Sequence, residues 1–210
     1  MRPKIYYFHG FKSSGGGSKF ETIKKVYGNE YEIISPSFPN NIYQAKRELK
    51  LIEKDLNGNT DVTIIGTSLG GFYAYYFASV FMDLGLIMIN PVLDPSKHMK
   101  KYLGKNRNFK TNEEFVFTAD DIEELRIMEK EIKSGPNPLP AYLVMLGRND
   151  DLVDPQKTAK VFFNSPHVKF YDDDHRFNKK FETMLREERT RDFIKSPVAD
   201  WTEFPNDPDD

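Results

Sequence analysis

Residues 62–79 read VTIIGTSLGGFYAYYFAS. Val62 to Ile65 are all β-branched, the mark of a short buried strand, and Phe72 to Ala78 form an apolar run suited to a buried helix. Between them lies Gly66-Thr67-Ser68-Leu69-Gly70, a G-x-S-x-G turn that passes directly from strand to helix. Gly66 and Gly70 have no Cβ, so strand and helix can close on each other around a tight turn. Such a turn holds Ser68 in a strained conformation at the C-terminal edge of a sheet, with Oγ exposed. The N–H of Leu69, at the positive end of the helix, then points at whatever Ser68 attacks.

Working outward, Ile5 to Phe8 read as a first strand and Tyr31 to Ile34 as a second. Ile42, Leu49, Ile52 and Leu56 recur at helical spacing, so Asn41 to Leu56 is an amphipathic helix. Leu86 to Ile89 form the fourth strand, Ala141 to Leu146 the fifth and Val168 to Tyr171 the sixth. The β-α-β rhythm predicts a six-stranded, mostly parallel sheet with helices on both faces. Val92 to Phe117 break the rhythm as a loop-rich, cap-like insertion. It carries Lys97, Lys100, Lys101, Lys105 and Arg107 among Tyr102, Phe109 and Phe115. Two readings stand: a roof that shapes a pocket near Ser68, or a solvated basic face. Ala119 to Lys133 is a helix, and Asn178 to Ile194 is read as one charged amphipathic helix that closes a single domain spanning 1–195. Residues 196–210 form an acidic, Pro- and Asp-rich tail.

The chain has 210 residues, 39% of them hydrophobic, enough for one sizeable core. Thirty basic and 32 acidic residues leave a net charge of −2, which gives no reason to expect nucleic acid as a partner. There are no cysteines, so disulfides, thiolate metal sites and a cysteine nucleophile are excluded, and a reducing, cytoplasmic setting is expected. No segment approaches a membrane span. The histidines are scattered, so no metal and no cofactor is expected. The loop Lys12 to Phe20 contains Gly15, Gly16 and Gly17, but Ser18 breaks the phosphate-loop spacing. A flexible loop over the site and a plain flexible turn remain as its two readings.

In a parallel sheet, chemistry collects at the C-terminal strand ends. Three of them carry Ser68, the acidic stretch 149–154, and His175. The order Ser, acid, His is that of the α/β-hydrolases. A serine hydroxyl becomes nucleophilic when an imidazole takes its proton and a carboxylate steadies the imidazole. His9 and His98 precede the acidic stretch, and His167 begins the sixth strand at the wrong edge. His175 is left as the base. For the acid, Asp150 is the first choice and Asp151 the second, while Asp154 precedes Pro155 and suits a helix cap. The second oxyanion donor beside Leu69 is expected to be the Phe11 N–H. His9, Gly10 and Tyr102 are expected at the substrate, His9 alternatively bracing its loop.

HGF after the first strand, GTSLGGFYA, INPVLDP, KYLGKNRNF, GRNDDLVD and DHRF together resemble the small YqiA-type bacterial esterases, from about Ile5 to Ile194. The resemblance implies a minimal α/β-hydrolase fold, hydrolysis of short-chain acyl esters, and Ser68, Asp150 and His175 as the triad. The turn Arg148-Asn149-Asp150 is more polar than is usual in that family, and the charged C-terminal extension is unlike it. The expected activity is thus a serine esterase that acts on a small-molecule ester through an acyl-enzyme. A thioesterase or amidase with the same triad, or a binding protein on a hydrolase scaffold, are the alternatives.

Overall fold

The computed structural model of the chain describes residues 2–82, 84–135, 141–163, 165 and 167–197. In chain order these form β1 (Lys4–Phe8), α1 (Ser18–Tyr27), β2 (Glu32–Ile34), α2 (Ile42–Leu56), β3 (Val62–Thr67), α3 (Leu69–Val80), β4 (Gly85–Ile89) and α4 (Pro95–His98). A 3₁₀ turn (Met99–Tyr102), β5 (Gly104–Arg107), β6 (Glu114–Phe117), α5 (Ala119–Ser134), β7 (Tyr142–Gly147), α6 (Pro155–Val161), β8 (Val168–Tyr171), α7 (Phe181–Arg186) and α8 (Glu188–Lys195) follow.

Among the described residues, six strands make one parallel sheet in the order β2-β1-β3-β4-β7-β8. The register pairs Phe8 with Gly66, Thr67 with Ile89, and Gly147 with Tyr171, so the strand ends that carry the candidate residues lie along one edge. The central strands are apolar throughout because both faces are covered. Alternation sends Phe8, Ile64, Met88 and Val144 to the face packed by α2, α3, α5 and α6. Ile5, Ile65, Ile87 and Leu143 go to the other face, under α1, α7 and α8.

Local chemistry sets the helix starts. Asn41 caps α2 by accepting from Gln44 N–H, and Thr118 and Asp121 form a reciprocal capping box on α5. Asp121 also accepts from Ile42 N–H at 2.8 Å, which ties the start of α5 to the start of α2.

Two expectations change. The helix expected over 178–194 is two helices, broken at Glu187, whose ψ of 140° is extended. The Glu187 carboxylate accepts from Tyr171 Oη at 2.6 Å, so its side chain turns towards β8 and interrupts the periodic run. The insertion is also more ordered than loop-rich. It holds α4, the 3₁₀ turn and the antiparallel hairpin β5–β6. The hairpin rests on the loop after β1: Phe109 N–H donates to Lys12 O, Asn108 Nδ2 donates to Ser13 O, and the Phe11 ring packs against Tyr102, Phe115 and Phe117. The part of the expected acidic tail beyond Pro197 lies outside the described residues.

Candidate active site

The turn after β3 has the geometry its sequence demands. Ser68 adopts φ 56° and ψ −120°, a left-handed conformation that a side chain other than glycine reaches only under strain. A Cβ on Gly70 would fall 2.1 Å from Phe8 O, so only glycine lets α3 start this close to β1. The Ser68 carbonyl accepts from Gly71, Phe72 and Val92 N–H, and its own N–H donates to Ile89 O. The backbone at this strained point is therefore fully held.

His175 Nε2 lies 2.9 Å from Ser68 Oγ, and His175 Nδ1 lies 2.8 Å from Asp150 Oδ2. A carboxylate accepts only if Nδ1 carries the proton, which leaves Nε2 to accept from the Ser68 hydroxyl. The Asp150 side chain is 1% exposed and that of His175 12%. The second Asp150 oxygen accepts from Leu152 and Val153 N–H, both at 2.8 Å, so the carboxylate is fixed from two sides. Asp151 is exposed. Asp154 accepts from Gln156 and Lys157 N–H and caps α6, with Pro155 in its first turn. Of the three acids open in the sequence, Asp150 alone reaches His175.

The loop after β1 lies against the same serine. A Cβ on Gly10 would stand 3.4 Å from Ser68 Cβ and 3.9 Å from Ser68 Oγ, so the Gly10–Phe11 turn borders the nucleophile candidate. Leu69 begins α3 from the other side. His9 is 5% exposed, and both its ring nitrogens are engaged: Nδ1 donates to Gly10 O and Nε2 accepts from Phe38 N–H. Burial lowers its pKa and favours this neutral ring. The geometry is that of the brace rather than of a free contact for substrate. Tyr102 packs on Phe11 in the wall formed with the hairpin.

Lys97, Lys100, Lys101, Lys105 and Arg107 are all exposed, and Arg107 pairs with exposed Glu114. The basic run is a solvated face. The glycine loop is anchored rather than loose. Gly15 is buried and bonded to Ser37 Oγ, and Lys19 Nζ donates to Arg176 O and Asn178 Oδ1 beside the histidine loop.

One residue of the site escaped the sequence reading. Asn90, at the end of β4, is 1% exposed and sits at φ 44°. Its Nδ2 donates to the carbonyls of Asp174 and His175, and its Oδ1 accepts from Gly147 N–H at 2.7 Å. One amide thus joins the strand that carries Asp150 to the loop that carries His175. A Cβ on Gly147 would fall 2.6 Å from Asp173 O, so the two segments touch backbone to backbone there. The available signal was an Asn-Pro pair at a strand end, where asparagine tolerates a left-handed turn.

Among the described residues, no group of three or more His, Cys, Asp or Glu side chains is arranged to hold a metal, and no helix is long and apolar enough to cross a membrane.

Solved structures share this architecture. The chain superposes on Est1E from Butyrivibrio proteoclasticus with a TM-score of 0.69 at 12% identity, covering 93% of this chain and 88% of that one. For mouse α/β hydrolase domain-containing protein 10 the TM-score is 0.65 at 16% identity, over 88% and 87% of the two chains. For the esterase domain of a Rhodothermus marinus protein it is 0.64 at 18% identity, over 92% and 87%. These likenesses establish an α/β-hydrolase fold. In sequence, a UPF0227 protein of Pectobacterium carotovorum is 26% identical over 161 residues, 75% of this chain and 81% of the relative. One of Pectobacterium atrosepticum matches to the same extent. Residues 4–190 match the model of an uncharacterised protein family, UPF0227, and the chain belongs to that family.

Proposed function

We propose that this chain is a serine hydrolase that cleaves carboxylic esters through an acyl-enzyme on Ser68. The observation that carries the reading is the continuous hydrogen-bonded line from Ser68 Oγ through His175 to buried Asp150, built on a strained strand-to-helix turn. In this mechanism Ser68 Oγ attacks the ester carbonyl while His175 Nε2 takes its proton. The negative charge that develops on the carbonyl oxygen is met by the N–H groups of Leu69 and Phe11, aided by the N-terminal end of α3. His175 returns the proton to the departing alcohol. Water, activated by the same imidazole, then releases the acid. Asp150 holds the imidazole in the tautomer that accepts from Ser68 and stabilises its charged form. The names of the structural relatives, an esterase domain and Est1E among them, agree with this class of reaction.

The test is labelling with a fluorophosphonate probe alongside turnover of p-nitrophenyl acetate. Wild-type protein is expected to label rapidly and to hydrolyse the ester, and Ser68→Ala to do neither while keeping its circular-dichroism spectrum. Equal labelling of the two proteins overturns the reading.

A further inference from the structure

A groove of about 580 Å³ runs along the face of the sheet covered by α3, α5 and α6. That volume falls within the usual range of small-molecule sites, about 300–1,000 Å³. Six apolar side chains line it, Tyr75, Leu93, Ile132, Leu152, Val153 and Val161, interspersed with polar and charged ones. Leu152 and Val161 are 42% and 52% exposed, large aliphatic side chains left uncovered along one trough.

One end of the groove is formed by segments that also hold the candidate active site. Leu93 directly follows Val92, whose N–H donates to the Ser68 carbonyl. Leu152 and Val153 lend their N–H groups to Asp150. His98, also on the wall, feels the charges of His175 and Asp150. Three separate segments of the wall therefore touch, or stand beside, the hydrogen-bonded line through Ser68.

Two of the three carboxylates on the wall are committed within the protein, and the third, Asp94, is exposed to solvent. Glu129 accepts from Ser96 N–H and Oγ, and Asp154 caps α6. Lys133 and Lys157 are exposed to solvent. The larger part of the surface left for a ligand is the hydrocarbon of Leu93, Leu152, Val153 and Val161.

We infer that this groove holds the hydrocarbon chain of the ester, so that the enzyme prefers substrates with an extended aliphatic chain over acetyl-sized ones. The inference rests on the serine-hydrolase reading and adds the substrate class to it. The chain belongs either to the acid or to the alcohol, and the two sources separate experimentally.

The experiment compares kcat/KM over two ester series. One runs from p-nitrophenyl acetate to p-nitrophenyl octanoate, the other from methyl acetate to octyl acetate. Both are measured on wild type, Val161→Trp and Val161→Asp. Position 161 is exposed at the end of α6, so both variants are expected to fold, and the measure is the ratio of rates on long and short esters within each protein. On the octyl or octanoyl member, each variant is expected to lose about tenfold, the effect of uncovering roughly two methylenes. The series in which the loss occurs identifies the chain. Equal losses on short and long esters, or a wild type that gains nothing from a longer chain in either series, overturn the inference and leave the hydrolase reading intact. A wild type that cleaves no ester overturns the hydrolase reading instead. Binding of 1-octanol to Ser68→Ala, weakened or not by adding Val161→Trp, then decides whether the groove holds a hydrocarbon chain.

Discussion

Residues 172–180 and the hairpin 104–117 are both rich in charge, and they use it in opposite ways. In the first, Asp172 accepts from Asn149 Nδ2, Asp173 from Asp174 and Lys180 N–H, and Asp174 from Arg176 and Phe177 N–H. Each carboxylate shapes the turn, and Phe177 is buried completely beneath it. In the second, Arg107 and Glu114 meet with both side chains well exposed, and Phe109 is 74% exposed. The hairpin is held instead by the Phe11 cluster and a few bonds to the β1 loop. A charge near a site in sequence acts on it where donors of that segment hold it in place; an ion pair left in water is screened.

Ser68→Ala is expected to lower kcat by a factor on the order of 10⁴–10⁶ with the fold retained, read by ester turnover and circular dichroism. Asp150→Asn comes next, because an amide at that position favours the wrong imidazole tautomer. A fall of roughly 10³–10⁴ in kcat is expected, against almost none for exposed Asp151→Asn. If Asp151→Asn were the more damaging, the geometry described here would not be the working one.

Asn90→Ala tests the tie between the two loops. It removes three hydrogen bonds at a buried position and frees the His175 backbone, so a fall of roughly 10–100-fold in kcat is expected. The accompanying loss of stability should be about 1–3 kcal/mol, measured by urea unfolding. KM should change little, because Asn90 does not border the groove.

Lys19 sharpens the same contrast through pH. Burial, assisted by Arg176 and opposed by Asp173 and Asp174, holds its pKa down at about 8. An unfolded lysine titrates at about 10.4, so between those values the unfolded chain binds a proton that the folded chain has released. Stability from this group therefore rises with pH across that window. Lys19→Met is expected to remove this rise when urea midpoints are compared with wild type from neutral to alkaline pH. The smallest effect belongs to the hairpin. Arg107→Ala should change stability by less than about 0.5 kcal/mol, and the ratio of kcat/KM for anionic and neutral esters not at all.

Much of the fold was legible because its signals are local. Six short apolar runs, the helical spacing between them, and the Gly66–Gly70 turn each need only a few consecutive residues to be read. The order Ser68, acid, His175 was legible too, and those are the side chains that the fold brings within hydrogen-bonding distance. The break at Glu187 was not, because it comes from a tyrosine on a different strand. The hairpin was missed because β5, Gly-Lys-Asn-Arg, is polar and exposed, so the short apolar run Phe115–Phe117 of β6 has no partner strand visible in the sequence.

What the sequence determined by itself was the parallel architecture and the strand ends at which function gathers, since hydrophobic period and glycine placement are properties of neighbours in the chain. Tertiary structure alone decided which of three nearby aspartates reaches the imidazole. It also decided that Asn90 joins two loops, that His9 turns both nitrogens to the backbone, and that the basic run faces water. Each of these depends on a hydrogen bond or a burial between residues far apart in sequence, and no local pattern records which distant donor a carboxylate or an amide will meet.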